Sequence, residues 1–149
     1  MGSMAVDDKD LGAIHSLTQL VVRGQADKGD WRGALEIYKS VLETKICVCG
    51  HDHPDVAASF YNIGVVYRQK GDLENALVQH QKALEIRTRV FGSEHPDVAT
   101  SYQNLAAVYH RQGNHVQTKE MATKAYHIFL KVLGPDHPYT QMSSKLSRI

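Results

Sequence analysis

Cysteine and proline are both scarce in this 149-residue chain, at two and four copies. The two cysteines, Cys47 and Cys49, stand one residue apart and cannot staple a large loop. A disulfide scaffold is therefore excluded as the basis of the fold, and a reducing, cytoplasmic setting is expected. Long apolar runs are missing as well, which removes the expectation of a membrane span. An excess of one charge is missing too: 17 basic and 16 acidic residues leave a net charge of +1. That balance gives no reason to expect nucleic acid or an anionic membrane as the main partner. The N-terminus lacks a basic region followed by an apolar one, so it does not read as a secretory signal. Its opening MGSM reads as a cloning remnant before Met4, and residues 1–10 are expected to form a flexible tail.

What the chain has is an internal period. The block from His53 to Glu94 is followed at once by a block from His95 to Asp136, and a shift of 42 residues aligns them without a gap and with 15 identities. Unrelated segments of that length would share roughly two or three. A further step back gives 11–52, a weaker copy that keeps Gly29, Asp30, Ala34 and Gly50. A step forward gives 137–149, the opening of a fourth unit. Three of the four prolines, Pro54, Pro96 and Pro138, belong to one recurring His-Pro step.

Each unit reads as two helices. Val56, Phe60, Ile63, Gly64 and Tyr67 recur at spacings of three and four and mark one apolar face. Gly71 and Asp72 supply a turn and a cap for a second helix, whose inner side carries Leu73, Ala76, Leu77, His80, Ala83, Leu84 and Phe91. Gly92 is placed to end that helix in a left-handed conformation, and Pro96 opens the next where a missing N–H costs nothing. One helix pair cannot bury its apolar face alone, so the units must stack.

The stretch from Phe60 to Ile86 resembles the tetratricopeptide repeat: an aromatic (Phe60), a Leu-Gly-like pair (Ile63, Gly64), Tyr67, Gly71-Asp72, then Ala76 and Ala83. The 42-residue period, with Gly, an acid and His-Pro between units, resembles the kinesin light chain type. The resemblance implies an all-α fold, a right-handed α-solenoid of antiparallel helix pairs. Units are expected at about 11–52, 53–94 and 95–136, with a capping helix at 137–149. The first unit departs by opening on Leu11-Gly12 and placing Gly24 inside its first helix; the third has Thr118 and Lys119 in place of Ala76 and Leu77.

The cluster from Cys47 to Pro54, CVCGHDHP, has the vocabulary of a metal site. The period explains most of it. Cys49 takes the apolar slot of Phe91 and Leu133, Gly50 is the helix-ending glycine, and His53 matches His95 and His137. Cys47 and His51 alone are peculiar to this copy, and a second ligand pair at zinc-finger spacing is lacking. Packing is the preferred reading; a metal or redox role there stays open. His110 and His115 do not form a His-Glu-x-x-His pattern, and neither a phosphate loop nor a catalytic triad is legible. No cofactor and no enzyme activity are expected.

In such a stack the first helix of each unit lines the concave side. Its groove positions are Tyr61, Asn62, Val65, Arg68 and Gln69 in the second unit and Gln103, Asn104, Ala107, His110 and Arg111 in the third. In the first they are Gln19, Leu20, Arg23 and Asp27. By resemblance, Asn62 and Asn104 hold the backbone of an extended peptide, since one carboxamide offers donor and acceptor together. Arg23, Arg68 and Arg111 make the face locally basic, and arginine grips a carboxylate through parallel hydrogen bonds. The expected ligand is a short acidic peptide with an apolar or aromatic anchor. Kinesin light chain-like grooves imply a tryptophan between acidic residues, and a cytoskeletal or ciliary setting. In the last segment Met142, Leu146 and Ile149 fall on groove slots, and Ser143 and Ser144 on packing slots. Either this helix rotates to bury its apolar stripe, the preferred expectation, or it exposes the stripe for self-association.

Overall fold

The computed structural model describes residues 20, 21, 23, 24 and 29–149. Residues 1–10, Gln19 and Asp27 lie outside the described residues. Leu20, Val21, Arg23 and Gly24 are helical. After them come α1 (Trp31–Cys49), α2 (Pro54–Lys70), α3 (Leu73–Phe91), α4 (Pro96–Arg111), α5 (His115–Leu133) and α6 (Pro138–Ser147). The described residues contain no strand. Each helix packs mainly on its neighbours in the chain, so the molecule is a right-handed solenoid of antiparallel pairs.

The caps are as periodic as the sequence. Asp30, Asp72 and Asn114 each accept a backbone N–H three residues on, from Gly33 at 2.9 Å and from Asn75 and Gln117 at 3.2 Å. The His-Pro step caps the other helices: Nδ1 of His53, His95 and His137 accepts the N–H of Asp55, Asp97 and Tyr139 at 3.0, 3.0 and 3.2 Å. Gly71 ends α2 in the left-handed region, φ 91° and ψ 4°. Gly92 also takes a positive φ of 84°, but its ψ of 171° is extended, not the left-handed turn expected of it. Phe91 stacks on His95 at 4.1 Å, and its register counterpart Cys49 is half-buried.

The core is a series of joints rather than one centre. Ala34, Leu35 and Tyr38 meet Ile63 and Val66; Val56 and Ala57 meet Ala83 and Ile86; Leu84, Val98 and Leu105 meet Ala125, Ile128 and Phe129. Two joints are also spanned by a cation. Lys45 Nζ donates to the Asp55 carbonyl at 3.4 Å, and its register equivalent Arg87 donates through Nη1 to the Asp97 carbonyl at 3.5 Å and to Ser101 Oγ at 2.9 Å. Burial holds the Lys45 ammonium below the usual lysine range, against the opposing pull of Asp55 and Cys49. At the third joint Phe129 replaces the cation and packs on Tyr139 at 5.6 Å. Ion pairs between Arg89 and Asp52 at 2.8 Å and Lys131 and Glu94 at 3.3 Å repeat along the exposed edge, where each adds little.

The last helix corrects an expectation. It does not rotate: Thr140 and Ser143 are buried, while Met142 and Ile149 remain 51% and 50% exposed. The His137 cap and Pro138 fix its start in the repeat register, and Thr140 and Ser143 are small enough to fill the packing slots.

Within the second unit one close fit stands out. A Cβ on Gly64 would come within 2.8 Å of the buried His80 ring. The third unit fills the same two slots with Ala106 and Ala122, both buried. Gly64→Ala is therefore expected to destabilise by about 1–3 kcal/mol, although alanine is the better helix former. His80→Ala added to it should cost less than the sum of the two single losses. Urea unfolding of the four variants checks this, and additive losses would contradict it.

Candidate functional site

The first helices of units two and three, α2 and α4, lie side by side. Arg111 Nη1 donates to the Arg68 carbonyl at the end of α2, 2.6 Å away, so the Arg111 side chain bridges the two units. The predicted groove residues Tyr61, Val65 and Arg68 on α2, and Gln103, Asn104 and Ala107 on α4, are half-buried, whereas Gln69, His110 and Arg111 are exposed. Asn62 departs from the expected open presentation, being only 8% exposed. Leu20 and Arg23 are helical and exposed in the first unit.

The polarity of this face is one-sided. Gln103 Nε2 and Asn104 Nδ2 are buried amide donors without a hydrogen-bond partner among the described residues. Arg68 and Arg111 add cationic donors, and no Asp or Glu occurs at the groove positions of α2 and α4. A buried donor left without an acceptor is costly. In the register of the repeat, Met142 and Leu146 on α6 and Ile149 beyond its end continue the line of Thr100, Asn104 and Ala107.

Beneath the face lie residues that sequence reasoning did not assign to it. Arg87, from the second helix α3, has its guanidinium carbon 5.8 Å from the centre of the Tyr61 ring, and His80 flanks the same ring at 5.8 Å. Their signal was available in the recurrence of Lys45 and Arg87 one period apart, together with Ser59 and Ser101. His80 is 2% exposed and its Nδ1 has no partner. Desolvation first, then the charges of Arg68 and Arg87, push its pKa down from 6.5 to about 4.

The cysteine-histidine cluster is dispersed in role. Cys47 is an exposed free thiol and Cys49 a half-buried one. Among the described residues no group of three or more His, Cys, Asp or Glu side chains is arranged to hold a metal ion. No helix among them is long and apolar enough to cross a membrane.

The family profile of the tetratricopeptide repeat matches residues 24–83 and 55–131. The chain belongs to the tetratricopeptide repeat family. Among solved structures it is similar to BtubC (BKLC) from P. vanneervenii, at 20% identity and a TM-score of 0.81 over 92% of this chain and 54% of that one. It is similar also to a putative kinesin light chain of Podospora anserina with nearly identical TPR-like repeats, at 24% identity and a TM-score of 0.79 over 93% and 65%. A complex of the TPR2B domain of yeast Sti1 with pHsp70 superposes at 17% identity and a TM-score of 0.62 over 91% and 98%. The chain thus spans only 54% and 65% of the first two relatives. No curated protein sequence matches it.

The low pKa of His80 carries a sign. Below about pH 6.5 the unfolded chain takes up a proton that the folded chain refuses until about pH 4. The stability tied to neutral His80 is therefore present above pH 6.5 and is lost as pH falls to 4, about 3 kcal/mol in all. Urea unfolding at pH 7 and 4.5 should show a smaller acid loss in His80→Leu than in the wild type. Equal losses would sink the assignment.

Proposed function

We propose that the protein is a non-catalytic interaction module that holds a short acidic segment of a partner polypeptide along the face formed by α2 and α4. The observation that carries this reading is the unpartnered pair Gln103 Nε2 and Asn104 Nδ2 beside Arg68 and Arg111. Peptide carbonyls are the acceptors such amides lack, and Asp or Glu side chains suit the arginines. Arg111 spends one nitrogen on the Arg68 carbonyl, which orients its guanidinium and leaves its remaining N–H groups for a ligand. Asn62 and Arg23 extend the face toward the first unit, and Tyr61, Val65, Ala107 and His110 complete its walls. The exposed Met142 and Ile149, with Leu146, offer the apolar anchor site. The Sti1 domain, bound to a pHsp70, supports the polypeptide partner. The kinesin light chain likeness supports a cytoplasmic, cytoskeleton- or cilium-linked setting.

A second reading is favoured by the same exposed stripe on α6: self-association of the chain through its terminal repeat. A fluorescent peptide with tryptophan between acidic residues separates the two. Arg111→Glu and Asn104→Ala are each expected to weaken its binding by about tenfold, Arg111→Glu with a lower melting temperature because the bond to the Arg68 carbonyl is lost, and Asn104→Ala with no such loss. Equal affinity in both variants would remove the groove reading. Sedimentation over a wide concentration range tests the other: a mass that rises, and falls back in Met142→Glu, supports it, and a strict monomer removes it.

A further inference from the structure

We propose that the seams between units, at His53 and His95, are acid-sensitive joints, while the turns within units stay closed. The two kinds of turn are capped by different chemistry. Within a unit the second helix starts on Asp30, Asp72 or Asn114, whose side-chain oxygen accepts a backbone N–H. A carboxylate or an amide keeps its acceptor oxygens between about pH 5 and 8. The side-chain bond from Asn75, and then its backbone N–H, hold the Asp72 carboxyl below the usual carboxylate range. Between units the acceptor is an imidazole nitrogen. Nδ1 of His53 takes the N–H of Asp55 and Nδ1 of His95 that of Asp97, both at 3.0 Å. Imidazole is the side chain whose charge changes between about pH 5 and 8, and a protonated Nδ1 donates and cannot accept.

The surroundings decide the sign. His53 meets Asp55 on its own helix, Lys45 and the Cys49 thiol of α1, and, in its own turn, exposed His51 and the Asp52 that binds Arg89 of α3. His95 meets Asp97 on its own helix, Arg87 of α3, and the Glu94 that binds Lys131 of α5. The carboxylates of Asp55 and Asp97 lie 3.8 and 3.9 Å from the respective Nδ1, beyond hydrogen-bond distance. They are 46% and 51% exposed, so the attraction they offer an imidazolium is screened. For either carboxylate to accept the new N–H, the ring must turn away from the backbone, and the cap is given up all the same. Opposing the added charge are the positive end of the helix and the cation in each seam. Lys45 and Arg87 already donate to the carbonyls of Asp55 and Asp97, in the same first turn. The stability that rests on these caps is therefore present while the imidazoles are neutral and is lost as pH falls.

The ring also belongs to the joint itself. Phe91, the last residue of α3, stacks on His95 with centres 4.1 Å apart and planes 13° from parallel. A His95 ring that leaves the backbone of α4 leaves the end of α3 as well, and both sides of the seam loosen together. The caps within units have no such second partner among the stacked rings of the described residues.

Nuclear magnetic resonance of the ¹⁵N-labelled chain, titrated from about pH 7.5 to 5.5, tests this. At neutral pH the His53 and His95 rings are expected to carry their proton on Nε2. As those rings protonate, the amide signals of Asp55 and Asp97 should move with them, several-fold further than those of Gly33, Asn75 and Gln117. A proton on Nδ1 at neutral pH would overturn the proposal, as would rings that titrate with the Asp55 and Asp97 amides unmoved. Equal movement at Gly33, Asn75 and Gln117 would overturn it too, because the loosening would not be confined to the seams. His53→Asn with His95→Asn supplies an acceptor that does not titrate. Between pH 7 and 5.5 in urea unfolding, the folded-to-unfolded ratio of this variant should fall less than that of the wild type, by about fivefold for each replaced cap. His80 and the His137 cap are the same in both chains and cancel. Equal acid losses in the two chains would count against the seams, and if the variant does not fold the wild-type titration decides alone.

Discussion

A two-helix unit cannot bury both of its apolar faces, and the rest of this molecule depends on how each unit is laid against the next. Apolar side chains supply the contact area, but they are tolerant of small slips. The buried cations are less tolerant. Lys45 and Arg87 each leave a second helix and reach a carbonyl in the first turn of the following one, ten residues on. Desolvating a cation is expensive, and a misplaced unit would leave that charge without its acceptors. The same contact that joins two units therefore fixes their register, and with it the alignment of α2 beside α4.

That alignment is what makes an inner face. Arg111 can reach the last turn of α2 only because the two first helices end level with each other. The amide nitrogens of Gln103 and Asn104 are then buried without an acceptor among the described residues, in a face with no acid at its α2 and α4 groove positions, and His80 is kept from its proton by burial and by Arg68 and Arg87. At the last joint the cation is gone. Phe129 and Tyr139 replace it, the Ser143 hydroxyl loses the arginine that Ser101 has, and the end of the stack turns polar.

Much of the fold was legible because the period assigns every residue a counterpart. Caps, turns and the packing slot of Cys49 follow from comparing copies, with no structural information. The course of α6 was not legible: a Met, Leu, Ile stripe reads as core, whereas the helix start fixed by His137 and Pro138 overrides hydrophobicity. Lys45 and Arg87 were missed because a cation on a second helix reads as solvent-exposed, and only its depth in the joint makes it structural. The expected groove positions follow from the repeat register alone, which does not read burial: Asn62, one residue from the half-buried Tyr61, is almost enclosed.

The central claim is that the buried amides of Gln103 and Asn104 wait for acceptors from a polypeptide. Their side-chain NH₂ resonances report this directly when an acidic, tryptophan-containing peptide is added to the ¹⁵N-labelled chain. The account predicts that both amide pairs shift together with the α2 and α4 backbone and exchange more slowly with solvent. Bound peptide with both pairs unmoved would contradict it.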